Sequence, residues 1–271
     1  MPSKRLFSII VGCSLLAAAA TACDGDSDEP KNRKSRSSGV GSSSPGGSAS
    51  GSSSNEGPFG SLTAQQIADR SQGRMATLSS LSVDGTLPGQ TGPMKLHLTM
   101  DNVGTCEGTI GLKDAGEVAI LRIGSESWIK PDQKFWQAMA NNPQDGQTAA
   151  RLFNGKYLQV DSKDPNYQDL FSACALISSF ASDTKSNNTY TKGKTHTIET
   201  VDTIQLKTSN SSGEVGEMYI ATEGEPYVIS MEKGTGDSAT RMTFSDFDRP
   251  LQITPPRADL LIDPATLESI I

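Results

Sequence analysis

"PMKLHLTMD", residues 93–101, sets Met94, Leu96, Leu98 and Met100 alternately against Lys95, His97, Thr99 and Asp101. Successive side chains of a strand point to opposite faces, so this alternation is the pattern of a β-strand with one face buried and the other in water. A helix would repeat its apolar positions every three or four residues instead. Working outward from this stretch, "CEGTIGLK" (residues 106–113), "EVAILRIG" (117–124) and "SESWIK" (125–130) read as further strands, separated by turn residues in "DAG" and "GSES". A meander of neighbouring antiparallel strands connects such segments most economically.

Upstream, "LTAQQIADRSQGRMATLSSL" (residues 62–81) has the longer period: Ile67, Ser71, Met75 and Leu78 define one face, with Arg70 and Arg74 off it. Thr63 followed by Gln66 is a capping box, and Leu62 with Ile67 is placed for a hydrophobic staple, so the spacing predicts a helix here despite Gly73. Downstream the chain turns helical in "PDQKFWQAMANN" (131–142), "DGQTAARLF" (145–153) and "NYQDLFSACALISSFAS" (166–182), with a short extended link at "GKYLQVD" (155–161). Strands return from Tyr190 in "YTKGKTHTIETVDTIQLKTS", "GEMYIAT", "PYVISMEKG" and "ATRMTFSDF", before a proline-punctuated tail, "PLQITPPRADLLIDPATLESII". Strands, then helices, then strands imply an α+β domain at residues 59–271, a large antiparallel sheet with its helices packed on one face.

The N-terminal segment is of another kind. Lys4 and Arg5 precede the apolar run "LFSIIVGCSLLAAAA", which leads to "ATAC" at residues 20–23. A positive start, an apolar stretch and small residues at its end form an export signal; an uncleaved signal anchor is the alternative. Small residues immediately before Cys23 resemble the lipobox of bacterial lipoproteins, with Ala20 where that box usually has Leu. The resemblance implies a signal peptide at residues 1–22, cleavage between Ala22 and Cys23, and acyl chains on Cys23. Cys13 also fits the box formally in "IVGC", but too few residues separate it from Arg5 to form an apolar stretch. Two or three acyl chains would anchor the chain stably to a membrane where one would be marginal. Residues 37–57 contain 10 Ser and 6 Gly, a composition that behaves as flexible coil. Residues 23–58 therefore read as a lipidated tether of about 30 Å root-mean-square span. With Cys23 assigned to the anchor, Cys106 and Cys174 remain as a pair. In an exported protein such a pair is read as a disulfide, the alternative being two buried thiols.

Composition excludes several functions. The formal net charge is −7, and loss of residues 1–22 would leave 22 basic against 31 acidic side chains, which is the wrong sign for a nucleic-acid partner. The two histidines, His97 and His196, sit on the polar side of alternating patterns, where a surface role suffices. No HExxH, GxSxG or paired CxxC motif is present, and "KGTGDSATR" (residues 233–241) lacks the ending of a phosphate loop. The expectation is a protein without catalytic residues, metal site or cofactor. Met94, Met100, Met218, Met231 and Met242 lie in strand segments, and Trp128, Phe135 and Trp136 cluster where sheet gives way to helix. Methionine suits surfaces that accept varied apolar partners, though ordinary core filling also explains it.

"GEVAILRIGSESWIKPDQKFW" (116–136), "LFNGKYLQV" (152–160) and "RMTFSDFDRPLQITPP" (241–256), in the order helix, strands, helices, strands, resemble exported actinobacterial members of the LolA/LolB and LppX/LprG group of lipoproteins. The resemblance covers about residues 60–257. It implies an unclosed half-barrel, a strongly curved antiparallel sheet partly covered by helices, with an apolar cavity between the layers that binds or moves acyl chains without catalysis. Carried onto this sequence, Met94, Leu96, Leu98, Met100, Ile120 and Trp128, with Phe135 and Trp136 from the helical segment, would line that cavity, although a slip of one residue would reverse the inward set. The partners implied are the membrane through the lipid anchor and a lipid or acylated ligand, on the extracytoplasmic face, for a monomeric chain. The alternative is an envelope interaction or sensory module that holds a protein partner on the same sheet.

Overall fold

The computed structural model describes residues 59–89, 92–140, 142–182 and 188–268. The expected signal peptide, Cys23 and the tether at residues 23–58 lie outside the described residues. Eleven antiparallel strands form one sheet from two meanders. The first comprises β1 (Ser80–Leu87), β2 (Met94–Asp101), β3 (Cys106–Leu112), β4 (Gly116–Ile123) and β5 (Glu126–Pro131), extended by the short β6 (Leu158–Val160). The second comprises β7 (Thr189–Ile198), β8 (Val201–Ser209), β9 (Val215–Ala221), β10 (Val228–Lys233) and β11 (Thr240–Ser245). Pairing of β1 with β11 joins them, giving the order β6-β5-β4-β3-β2-β1-β11-β10-β9-β8-β7. The sheet does not close, since the end strands β6 and β7 do not pair with each other.

The first helix, α1 (Ala64–Met75), begins as its sequence dictates: Thr63 Oγ1 accepts from the Gln66 amide and Gln66 Oε1 accepts from the Thr63 amide at 2.9 Å. It ends earlier than its period suggests, at Met75, and residues expected to continue the helix become β1. The reason lies in the burial of β1. Ser80, Leu81, Ser82 and Val83 are all buried, so no apolar-polar alternation marks the strand. The serines satisfy themselves locally: Ser80 Oγ donates to the Arg249 carbonyl at 2.5 Å, and Ser82 Oγ shares a hydrogen bond with Thr99 Oγ1 at 2.9 Å.

Between the meanders lie α2 (Gln133–Met139), α3 (Pro143–Leu152), α4 (Gln168–Ser172) and α5 (Leu176–Ser182). The helix expected over residues 166–182 is thus two helices, separated by a 3-10 turn at Ala173–Ala175 that carries Cys174. A further short helix, α6 (Pro264–Glu268), lies in the C-terminal tail. None of the described helices is long and apolar enough to cross a membrane. The tail reaches the β6 end of the sheet, where Leu261 bridges Tyr157 in parallel and the Ile262 amide donates to the Tyr157 carbonyl at 2.8 Å.

Two features fix the helical cover to the sheet. Cys106 of β3 and Cys174 form a disulfide across a sequence separation of 68 residues. At the other end of the cover, α2 starts directly on Gly116. The Asp132 side chain caps α2 by accepting from the Phe135 amide at 2.6 Å, and a Cβ on Gly116 would lie 2.3 Å from that carboxylate and 2.7 Å from that amide. Gly116 also has φ +92°, a conformation side chains rarely adopt. Replacing both cysteines with alanine is therefore expected to cost about 2–4 kcal/mol, from the loop-closure entropy the disulfide removes from the unfolded chain. Gly116→Ala is expected to cost about 2 kcal/mol or more, from strain and clash together. Urea unfolding of the variants beside the parent chain measures both effects, and an unchanged midpoint for either variant would contradict its assigned role.

Candidate functional site: the inner face of the sheet

Strand register divides the sheet into two faces, because paired residues share a face and neighbours along a strand do not. One row runs Leu158, Ile129, Ile120, Gly108, Leu98, Val83, Phe244 across β6, β5, β4, β3, β2, β1 and β11. The next row runs Pro131, Val118, Ile110, Leu96, Gly85, Met242, Met231, Met218, Leu206 from β5 to β8. This inner face is apolar and lies under the helices. Trp136 of α2 packs against Phe153 at 5.3 Å between ring centroids, and Phe180 of α5 meets Phe244 edge-on at 5.7 Å. Ile67 and Ala68 of α1 cover the other end of the face, over Ile204, Leu206 and Ile220.

Of the residues expected to line a cavity, Met94, Leu96, Leu98, Met100 and Ile120 lie on this inner face and are buried. Trp136 is buried above it, and Phe135 is half-buried at its margin. Trp128 is set apart from them. It pairs with Leu121, adjacent to the Ile120–Ile129 pair, and so points to the opposite face, where it is nevertheless buried. The sequence hides this because Ser127, Trp128 and Ile129 are all buried, which leaves β5 without a readable parity.

Three methionines stand out in the second row. Met231 is the direct cross-strand partner of both Met218 and Met242, and all three are only half-buried, as is Leu87 on the neighbouring strand. Their flexible thioethers form an adaptable apolar strip where the inner face is least enclosed. The remaining inner face is packed tightly, with Leu98, Met100, Val118 and Leu206 fully buried.

The outer face is polar. A depression of about 490 Å³ lies there among Asp84, Lys95, His97, Glu117 and Arg241, and a second of about 420 Å³ among Lys207, Glu217, Glu232 and Lys233. His97 pairs with Asp84 at 2.5 Å, both side chains being exposed, and His196 packs edge-on to Tyr219. Glu217 accepts from the Tyr219 hydroxyl and from Gln205 Nε2, each at 2.8 Å, which holds its carboxyl below the usual range. Among the described residues no group of three His, Cys, Asp or Glu side chains is placed to hold a metal ion.

One polar cluster had no sequence signal. Arg74, off the apolar side of α1, pairs with Asp248 just beyond β11 and with Glu225 at 3.1 Å, and donates to the Tyr227 hydroxyl at 2.6 Å. Tyr227 stacks flat on Phe247 at 4.0 Å, and Asp248 accepts from the Ser79 amide at 2.8 Å. The cluster clasps the end of α1 to the beginning of β1 and the end of β11. Burial raises the Asp248 carboxyl, but hydrogen bonds from Ser79 and Arg74, with the Arg74 charge, outweigh it and bring the pKa to about 2.

No protein-family model and no curated protein sequence matches the chain. Among solved structures it is similar to LprF from Mycobacterium bovis, at 14% identity and a TM-score of 0.49, covering 71% of this chain and 96% of that one. It is similar to the lipoprotein LppX from Mycobacterium tuberculosis at 13% identity and a TM-score of 0.45, covering 70% and 98%. A LolA superfamily protein from Nitrosomonas europaea follows at 9% identity and a TM-score of 0.23, covering 72% and 96%. The likeness is one of fold and carries no ligand with it.

A carboxylate whose pKa is lower in the folded than in the unfolded chain stabilises the fold above its unfolded value, near 3.9, and loses that contribution as pH falls through the folded value. Asp248 has 32% of its side chain exposed, so solvent screens part of the effect. Asp248→Asn is expected to cost about 1–2 kcal/mol at pH 7, and the cost should shrink between about pH 4 and pH 2. Urea titrations of both chains at pH 7, 4 and 2.5 measure this, and a difference that stays constant with pH would exclude the ionic clasp.

Proposed function

We propose that the chain is an extracytoplasmic lipoprotein that binds or carries a lipid or other acylated ligand without catalysis. In this reading residues 1–22 are its signal peptide, Cys23 after cleavage at Ala22 is the acylated anchor, residues 23–58 form the tether, and residues 59–271 form the binding domain. The observation that carries the binding role is the half-buried Met218–Met231–Met242 strip on an apolar sheet face. Unbranched thioether side chains rearrange at low cost, so the strip can yield to an acyl chain where branched residues would resist.

The cover above the face suits entry of a chain. It consists of short helices of 5 to 10 residues, and isolated helices of that length owe their order to packing. The disulfide to β3 and the seat of α2 on Gly116 hold the cover at two points while an acyl chain is accommodated between them. The outer depressions are lined chiefly by charged, threonine and glycine residues and hold no methionine.

The full-length chain, purified from bacterial membranes, is expected to release an acyl-bearing molecule into organic solvent and to show the corresponding mass in native mass spectrometry. Met231→Glu should lower affinity for a fluorescent fatty-acyl probe by about tenfold or more, since it buries a charge against the chain. A protein free of lipid that binds no acyl probe would sink this function. Cys23→Ser tests the anchor separately: the variant should lose the acyl mass and leave the membrane fraction.

A further inference from the structure

The inner face also carries a guanidinium that the acyl-binding reading leaves unused. Arg122 of β4 is paired with Cys106 of β3 on one side and Ser127 of β5 on the other, and so shares the inner face with them. Its Nε donates to the Gly104 carbonyl at 2.9 Å. Among the described residues its terminal nitrogens have no hydrogen-bond acceptor and it forms no ion pair. Asp101 is the charge that acts on it, yet that carboxylate already accepts the Val103 and Thr105 amides of the β2–β3 turn.

Ser127, directly opposite Arg122, is 0% exposed and its Oγ has no hydrogen-bond partner. Buried polar groups are ordinarily satisfied, and a group that is not asks for a partner. Here the unsatisfied buried group is the Ser127 hydroxyl, and it lies opposite a half-buried guanidinium. An acyl chain alone would leave both without an acceptor, whereas an anionic oxygen cluster would accept from both.

We propose that Arg122 and Ser127 form a headgroup subsite on the inner face, taking the carboxylate or phosphate end of the acyl ligand. The inference rests on the acyl-binding function. It adds that the ligand is anionic and bound with its charged end beside the disulfide. The acyl chain then runs across the sheet toward β11 and β10, where the methionine strip begins. A guanidinium suits this role because it offers several donors in a fixed plane to a carboxylate or phosphate.

The test compares cis-parinaric acid with its methyl ester, two fluorescent acyl probes differing in the charged end, on the full-length chain in the bile-salt detergent CHAPS. The parent chain is expected to bind the acid about tenfold or more tighter than the ester. Arg122→Gln should abolish that preference by weakening the acid far more than the ester, and Arg122→Lys should restore part of it. Ser127→Ala should lower the preference several-fold without lowering the urea midpoint, since its hydroxyl makes no bond within the chain. Equal binding of acid and ester by the parent, or equal weakening of both by Arg122→Gln, overturns the subsite and leaves acyl binding standing. Binding of neither probe removes both. Titration with inorganic phosphate separates a lipid headgroup from a free anion: Arg122-dependent phosphate binding below about 1 mM, with acid and ester bound alike, would assign the site to a free anion and overturn the headgroup.

Discussion

The pairing of β1 with β11 is the contact on which the rest of the structure depends. Five residue pairs, from Ser82–Ser245 to Thr86–Arg241, join chain segments about 160 positions apart and turn two meanders into one sheet. Without it each meander would end on an open edge, with unpaired amides and carbonyls beside an apolar face. The Arg74–Asp248–Tyr227 clasp sits at the end of this seam, and the Asp248 amide donates to the Ser80 carbonyl at 3.0 Å to continue it. A long-range contact of this kind carries a large loop-closure cost, which explains why it is backed by a hydrogen-bonded ion pair and stacked aromatic rings instead of strand pairing alone.

The seam also determines the inner face. It sets Val83 against Phe244 and Gly85 against Met242, and so aligns Leu98 and Leu96 of the first meander with the methionines of the second. One continuous apolar surface results, wide enough for the helical cover to rest on both halves. The surface is not uniform. It is densely packed under α2 and α3, half-open along the methionines, and marked by a single guanidinium beside the disulfide. Those differences give the face a direction, with a polar end and an adaptable apolar end. Edge protection follows the usual physical rules: Leu261 bridges Tyr157 at the β6 end, while β7 carries Lys192, Gly193 and Lys194 at an irregularity of register.

Much of the fold is legible in the sequence because local patterns survive wherever one face is buried and the other wet. β2 is the clearest, buried at Met94, Leu96, Leu98 and Met100 and open at Lys95 and His97. The capping box at Thr63 is another case, since its bonds span only three residues. The pattern fails where both faces are buried. β1 carries no readable alternation because Ser80 and Ser82 are as buried as Leu81 and Val83, and the parity of Trp128 is hidden because its strand is buried on both sides. Arg122 had a faint signal: in "EVAILRIG" it shares the parity of Val118 and Ile120, an odd place for a charge. The Arg74 clasp had none, because Asp248 lies 174 residues away.

The sequence by itself determined the alternating strands such as β2, the start of the first helix and the pairing partners available to Cys106 and Cys174. These follow from composition and from periods of two and three to four residues, which are local properties. Tertiary structure alone decided that β1 exists and where it pairs, which side of the sheet each ambiguous strand presents, and which polar groups are left without partners. Those outcomes depend on register between distant strands, and a shift of one residue would invert every side chain without changing any local pattern.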